Sequence, residues 1–349
     1  MSINSNPYLW IVLSFLFKLC AYNQPRFREL YVGTFCELGC PDLSWTTYVQ
    51  ILLLLHQALV PGSVQIGVQG RSVATANRAD YVAPVFPLLN DEKIDRLLDE
   101  LDKKVYQAPR NARIGDYEEI IPEQSGYKLD RRRFREQFYS CLYSTGSQAI
   151  EAPRLKVHAT VDSELLAHIR DKRIGYYVTY YNSRNKNRSH NVDLAAKAIN
   201  NSVVFPGEQF SFNRVVGMRT TSKGYRQAPI IVRGEYSEGI GGGICQVSST
   251  LFNAVDRAGL AIKQRYSHSR HVPYVPPGRD ATVSWGGPDF TFQNRYNQPV
   301  LIRAHASGGQ MVVAVYSSEL ITYIPREVPG TTRRLPEEIS LDVEVKVRE

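Results

Sequence analysis

Apolar positions in residues 76–165 follow helical spacing twice and strand-like alternation between the two repeats. Asn90 or Asp91 can cap a first helix, and Asp130 can cap a second, because a short polar side chain accepts a hydrogen bond from the first turn. A strand is predicted over 113–122, between the two helices. This pattern predicts a small α+β module, and no catalytic set of residues is evident in it.

Residues 170–320 follow a different pattern, in which short alternating segments are separated by Gly- and Pro-containing turns. One longer apolar stripe at helical spacing interrupts them and ends at Gly259; it consists of Val247, Leu251, Ala254, Val255 and Ala258. The predicted fold class is α+β: a small α+β N-terminal module, then a β-rich domain with a central helix that carries Cys245. Residues 321–349 form a polar tail.

A glycine-rich loop stands directly before this helix and contains Gly239, Gly241, Gly242 and Gly243. Glycines allow positive φ and let backbone N–H groups approach a ligand. Cys245 is predicted in the first helical turn, where free N–H groups and the helix dipole lower a thiol pKa. The backbone of Gly241, Gly242, Gly243 and Gln246 is predicted to bind an oxyanion.

Two other interpretations of this loop exist. The Lys-Ser/Thr ending of a phosphate-binding P-loop is absent, and so is GxGxxG spacing, which argues against nucleotide binding. Local sequence alone leaves Cys245 open between a nucleophile and a small buried apolar residue.

A cysteine nucleophile needs a base and a group that orients the base. His268 is predicted just before one strand and Asp280 at the start of another, so that both can converge on the helix N-terminus. His271 is an alternative base, and Glu208 and Glu235 are alternative acids. Three arginines are candidates for binding a substrate carboxylate: Arg188, Arg219 and Arg279.

Composition narrows the class of protein. The 349 residues are 43% hydrophobic and 22% charged, as in globular proteins, and the net charge is +8 with a pI of about 9.1. A basic chain suits nucleic acid or a polyanionic cell surface. Its basic residues are scattered without a nucleic-acid-binding motif, which favours the cell surface and argues against a nucleic-acid partner.

The five cysteines do not form a disulfide framework, since only Cys141 and Cys245 follow residue 58. The Cys36-x3-Cys40 pair has no second ligand pair, so neither a metal nor another cofactor is expected. Residues 1–75 are predicted to be a leader: the apolar run 48–60 has the length of an export signal, and the true start codon would then lie downstream of Met1. A membrane association of this N-terminal segment and the oligomeric state stay open.

Several motifs between 180 and 316 strongly resemble the VanW family: Tyr181-Asn-Ser, Pro206-Gly-Glu-Gln-Phe-Ser-Phe-Asn213, Gly224-Tyr-x-x-Ala-Pro229, Gly239-Ile-Gly-Gly-Gly-Ile-Cys-Gln-Val-Ser-Ser-Thr-Leu251, His268-Ser269 and Gly278-Arg-Asp-Ala-Thr-Val283. The preceding module, assigned to 76–165, looks like the peptidoglycan-binding domain that often precedes VanW domains. The VanW domain itself is assigned to 170–320.

The resemblance implies a cell-wall protein exported to the outer face of the membrane or the wall, with peptidoglycan stem peptides as partners. Some VanW proteins are understood as cysteine L,D-transpeptidases, which make 3-3 cross-links through a thioester. By resemblance Cys245 matches the nucleophile and His268 the family's histidine, whereas the orienting role of Asp280 is an inference from its position. A carboxypeptidase, a papain-like stem-peptide amidase and a non-catalytic peptidoglycan-binding, resistance-associated protein stay open as alternatives.

Overall fold

A computed structural model describes residues 62–82, 88–144, 146–232 and 235–331. The predicted export signal at 48–60 lies outside these ranges. By their contacts the described residues form two compact units: those within 62–104 and 130–153, and those within 105–129 and 154–331.

Six α-helices and sixteen strands are found in the described ranges. The helices are α1 (Asp91–Val105), α2 (Arg131–Tyr143), α3 (Ser163–Ile169), α4 (Lys186–Ile199), α5 (Phe212–Val216) and α6 (Ile244–Arg257). The strands are β1 (Ser63–Val68), β2 (Arg71–Asn77), β3 (Arg113–Ile114), β4 (Ile120–Ile121), β5 (Gly126–Leu129), β6 (Gln148–Glu151), β7 (Arg154–Val157), β8 (Lys172–Tyr180), β9 (Ser202–Val204), β10 (Gln209–Ser211), β11 (Gln227–Val232), β12 (Glu235–Ile240), β13 (Ala261–Gln264), β14 (Thr291–Gln293), β15 (Val300–Ser307) and β16 (Gln310–Ser317). The predicted α+β class is confirmed.

The first unit is built from α1, α2 and a three-stranded sheet in the order β2-β1-β6. Asn90 caps the start of α1 and Asp130 caps α2, each through a 3.0 Å bond from a backbone N–H, as the sequence predicts. Phe134 and Phe138 of α2 are fully buried and stack at 5.6 Å. Their burial on one face fixes the orientation of the helix.

The strand predicted over 113–122 is interrupted. Two short strands, β3 and β4, pair antiparallel there, and Glu118 in the turn between them has φ 62°. The apolar residues at both ends therefore belong to one small hairpin rather than to one continuous strand.

The core of the second unit is a four-stranded antiparallel sheet in the order β8-β16-β15-β9. Helix α6 packs on β8 and β16, while α4 packs on β15 and on α6. Gly175 of β8 permits this close approach, because a Cβ there would lie 2.3 Å from the carbonyl oxygen of Ala254. Eleven of the 14 residues of α6 are buried, so the helix is fixed on all sides by packing.

The segment between Gln264 and Thr291 contains no strand, although strands were predicted to start near His268 and Asp280. That prediction was wrong, because side chains of α6 bind the backbone of this segment where a neighbouring strand would otherwise do so. Within the described ranges, none of the helices is both long and apolar enough to cross a membrane.

Candidate active site

The start of α6 depends on glycines. Gly241 has φ +87° and Gly243, the N-cap residue, has φ +105°, a region that favours glycine. At Gly242 a Cβ would lie 2.5 Å from the carbonyl oxygen of Ala228 in β11. The loop is thus held tightly against β11, and it sets where Cys245 begins the helix.

Cys245 is the second residue of α6, as predicted, and its side chain is half-buried. Its sulfur lies 3.5 Å from the carbonyl oxygen of Val283 and 3.8 Å from Oγ1 of Thr282. The side chain of His268 lies close enough to act on the thiol pKa through hydrogen bonding and charge. The thiol therefore has a base beside it.

Asp280 orients His268. Its Oδ2 accepts the backbone N–H of His268 and pairs with the ring Nδ1, both at 2.6 Å. The two side chains are only 7% and 9% exposed. Because Nδ1 is engaged by the carboxylate, Nε2 is the ring nitrogen that remains available to the sulfur of Cys245. The predicted Cys245, His268 and Asp280 are thereby brought together.

The pKa values of the three residues follow from this contact. Burial raises the pKa of Cys245, but the hydrogen bond and charge of His268, together with the bonds to Val283 and Thr282, outweigh burial and hold the pKa below its ordinary value. Burial lowers the pKa of His268, yet its bonds to Cys245 and Asp280 raise it overall. Burial raises the pKa of Asp280, while the bonds from His268 bring it below its usual range. The arrangement favours a thiolate–imidazolium pair.

Tyr274 packs against the histidine and was missed by sequence reasoning. Its ring meets that of His268 edge to face at 6.5 Å, and its hydroxyl is hydrogen-bonded to Ser249. Burial raises the pKa of Tyr274 far above its ordinary value, so the phenol stays neutral. The ring limits the rotation of the imidazole.

One face of α6 anchors the segment that carries Asp280, and this too was missed. Ser249 accepts the N–H of Ala281 at 2.9 Å, and Ser248 donates to the carbonyl of the same residue at 2.5 Å. Asn253, one turn on, donates to the carbonyl of Arg279 at 2.8 Å. The row of polar side chains on this apolar helix could have predicted the anchoring, because buried polar groups require hydrogen-bond partners.

The first turn of α6 offers one unpaired N–H. The N–H groups of Ile244 and Gln246 donate to the carbonyls of Gly241 at 3.3 Å and Gly243 at 3.0 Å. None of the described residues accepts from the N–H of Cys245. This N–H lies at the positive end of the helix, where it can donate to the oxyanion that forms when the sulfur attacks a substrate carbonyl.

Gln246 has a packing role in this structure. Its side chain is fully buried, donates to Oγ1 of Thr179 and to the carbonyl of Tyr180, and accepts from Nη2 of Arg188 at 2.7 Å. Arg188 is thereby held beside Gly243, where a Cβ on the glycine would lie 3.1 Å from the arginine Cγ.

The other two arginines differ in their surroundings. Arg279 donates to Asn253 and Asp256, both at 2.7 Å, on the last two turns of α6. Asp256 is eleven residues beyond Cys245, about 16 Å along the helix. Arg219 donates from Nη2 to Oδ1 of Asn213 at 2.7 Å and lies next to Gly241. The structure thus places Arg188 and Arg219, but not Arg279, at the start of the helix.

The alternative acids and bases are placed elsewhere. His271 is exposed, and Glu208 is exposed and accepts the backbone N–H of Phe205 in its own turn. Glu235 begins β12. In the described part of the chain, no group of three or more His, Cys, Asp or Glu side chains is arranged to hold a metal ion.

Two family models match the chain. "VanW like protein" matches residues 187–316, and "Putative peptidoglycan binding domain" matches residues 63–150. The "Uncharacterized protein YoaR" of Bacillus subtilis strain 168 is 57% identical over 294 residues, which cover 83% of this chain and 97% of the relative.

The "Vancomycin B-type resistance protein VanW" of Enterococcus faecalis is 34% identical over 116 residues. That match covers 31% of this chain and 42% of the relative. No solved structure matches the chain.

Proposed function

This chain belongs to the VanW family, and we propose that it is a cysteine L,D-transpeptidase that modifies the peptidoglycan of the cell wall. In this proposal the module at 76–165 binds the wall and the domain at 170–320 carries out the chemistry. The observation that carries the proposal is the imidazole of His268, whose Nδ1 is fixed by Asp280 at 2.6 Å and which acts on the thiol of Cys245. A buried structural cysteine needs no such oriented base.

The first half-reaction forms a thioester. The Cys245 thiolate attacks the carbonyl carbon that follows the L-centre of the third residue of a tetrapeptide stem. The N–H of Cys245 donates to the resulting oxyanion. As the peptide bond breaks, the imidazolium of His268 gives its proton to the leaving amine, and D-alanine departs.

The second half-reaction releases the acyl group. The side-chain amine of a diamino acid in a neighbouring stem attacks the thioester carbonyl, and neutral His268 accepts the proton that the amine loses. The C–S bond then breaks, the thiolate is restored, and a 3-3 cross-link is formed. Water in place of the amine gives a shortened stem, which is the carboxypeptidase reaction.

The proposed location is outside the cytoplasmic membrane, in or next to the wall. The match to a peptidoglycan-binding domain supports peptidoglycan as the partner. The match to the VanW protein of a vancomycin-resistance system supports a role in walls exposed to glycopeptides.

The test is incubation of the protein with purified disaccharide-tetrapeptide, followed by mass spectrometry of products and protein. The expected result is stem dimers with loss of D-alanine and a transient acyl adduct on Cys245. Cys245→Ala should remove both, and Cys141→Ala, which removes a half-buried thiol in the other unit, should remove neither.

Other outcomes reject the proposal in distinct ways. Stems shortened by D-alanine without dimers indicate a carboxypeptidase, and stems cut at other bonds indicate an amidase. Binding of muropeptides with neither product nor adduct indicates a non-catalytic wall-binding protein.

A further inference from the structure

Two arginines border the start of α6, and neither forms a salt bridge with a carboxylate in the described part of the chain. These are Arg188 and Arg219. Arg279, by contrast, is paired with Asp256 at 2.7 Å. Together with the positive end of the helix, the two arginines make the surroundings of Cys245 electropositive. Such a site suits a ligand that brings negative charge.

The guanidinium of Arg219 is incompletely bonded. Nη2 donates to Asn213, and the guanidinium carbon lies 5.8 Å from the centre of the Phe212 ring. Nη1 is inaccessible to solvent, and no acceptor for it exists among the described residues. A buried donor without an acceptor costs about 1–3 kcal/mol and more when charged, so such groups are rare unless a ligand uses them.

The carboxylate that acts electrostatically on Arg219 does not fill this gap. This is Asp289, which raises the pKa of Arg219 but accepts from the hydroxyl of Ser211 and from the backbone N–H groups of Asn213 and Phe290. With its oxygens occupied in this way, Asp289 forms no ion pair with Arg219.

Arg219 is connected to the nucleophile through short contacts on both sides. A Cβ on Gly241 would lie 3.2 Å from the Cβ of Arg219, four residues before Cys245. On the other side Asn213, the partner of Arg219, donates to the carbonyl of Ser284 at 2.9 Å. Ser284 follows Val283, whose carbonyl oxygen lies 3.5 Å from the sulfur.

We propose that Arg219 binds the free C-terminal carboxylate of the acyl donor, so that the site accepts a bond only where it joins the last residue of a peptide. This inference rests on the proposed function and adds the specificity of the donor site. A guanidinium donates two parallel N–H bonds to a carboxylate, and Nη1 has its donors unused. Arg219 as a whole is half-buried whereas its Nη1 is inaccessible to solvent, so a carboxylate reaches Nη1 only when the guanidinium turns outward.

The alternatives within the chain are less suited. Nη2 of Arg188 is used by Gln246, and the stem of Arg188 packs on Gly243. Arg279 is used by Asn253 and Asp256. Arg219 is therefore the arginine at this site for which the structure shows a buried, unpaired donor.

The test is peptide binding to the Cys245→Ala protein, measured by calorimetry. Two probes are used: a stem tetrapeptide with a free C-terminal carboxylate, and the same peptide with a C-terminal amide. We expect the acid to bind about tenfold more tightly than the amide, in the range of one charge-assisted hydrogen-bonded pair. Adding Arg219→Gln should reduce that ratio to about one, whereas Arg219→Lys should retain part of it.

Arg184→Gln is the matched control, because it removes one exposed positive charge from the same unit and should leave the ratio unchanged. Equal binding of acid and amide, an unchanged ratio after Arg219→Gln, or binding of neither peptide would overturn the inference. Acylation of Cys245 in the unsubstituted protein reports separately on the proposed function. If acid and amide acylate Cys245 equally, the transpeptidase proposal stands and the role of Arg219 is rejected. If the acid binds more tightly but acylates nothing, Arg219 binds the carboxylate and the transpeptidase proposal is rejected.

Discussion

A single oxygen of Asp280 holds His268 at two points, the backbone N–H and the ring Nδ1, each at 2.6 Å. The double contact fixes the backbone as well as the imidazole, so the position of the base does not depend on a side-chain rotamer alone. His268 lies in a segment without helix or strand, yet its position is fixed as firmly as that of a residue on a helix or strand.

Asp280→Asn should impair the base His268, although the side chain at position 280 keeps its size. The amide removes the negative charge that stabilises the imidazolium, so we expect the rate of acyl transfer to fall by about 10²- to 10⁴-fold. The measurement is the initial rate of thioester formation by mass spectrometry. Asp256→Asn is the control, because this carboxylate binds Arg279 and Arg326 at the other end of α6. Equal rates in Asp280→Asn and the unsubstituted protein would contradict the assigned role.

The pH dependence of thiol alkylation should reveal the partner of Cys245. The pKa of Cys245 lies below its ordinary 9.0, so the thiolate forms as pH rises through a midpoint below that value. In His268→Ala the bond and charge of the imidazole are lost while burial still raises the pKa, so the midpoint should move to higher pH. A smaller fraction of the thiol is then ionised at pH 7, so the alkylation rate at that pH should fall, by about tenfold for each pH unit of the shift. The measurement is the rate of alkylation by iodoacetamide as a function of pH. Equal midpoints in His268→Ala and the unsubstituted protein would exclude a thiolate–imidazolium pair.

Turnover should depend on pH in a bell shape. Its acid limb reports the formation of the thiolate below pH 9.0, and its alkaline limb the loss of the imidazolium proton above pH 6.5, because the pKa of His268 is raised above that ordinary value. The measurement is kcat/KM for release of D-alanine. A profile that rises without a maximum would show that His268 does not supply the proton to the leaving group.

The sequence was sufficient to predict the fold class, the helix that carries Cys245, and the candidate partners His268 and Asp280. These depend on local signals: helical spacing, a glycine loop and a few reactive side chains. The pairing of β8 with β16 could not be predicted, because it joins residues 130 to 145 positions apart, in segments that carry the same apolar alternation as other strands.

The anchoring of 279–281 was not predicted either. Strand-like residues such as Thr282 and Val283 led to the prediction of a strand, but Ser249 and Asn253 supply the hydrogen bonds that another strand would have given. Side-chain bonds between distant segments have no periodic signature, and only the unusual polarity of a buried helix points to them.

Gly243→Ala should show whether the glycine loop positions Cys245 or only contributes to the stability of the protein. A Cβ at φ +105° would be strained and would lie 3.0 Å from Cγ2 of Val192. Gly278→Ala is the control, with φ +74° and open space around the Cβ position. Both should lose about 1–2 kcal/mol of unfolding free energy, measured with denaturant. Only Gly243→Ala should also lower the alkylation rate of Cys245; equal rates in the two variants would show that the loop does not position the thiol.

Ser249→Ala should displace Asp280, although Ser249 bonds the backbone carbonyl of Cys245 at 2.7 Å and not its sulfur. The change leaves the buried N–H of Ala281 without its 2.9 Å acceptor, at a cost of about 1–3 kcal/mol, and releases the hydroxyl of Tyr274. Thr250→Val is the control, since this buried hydroxyl bonds Gln246 and Thr179 rather than the 279–281 segment. If Ser249 positions the base, its variant raises the midpoint of Cys245 alkylation towards that of His268→Ala, whereas Thr250→Val loses stability alone. A stability loss in both variants with unchanged midpoints would reduce Ser249 to a packing residue.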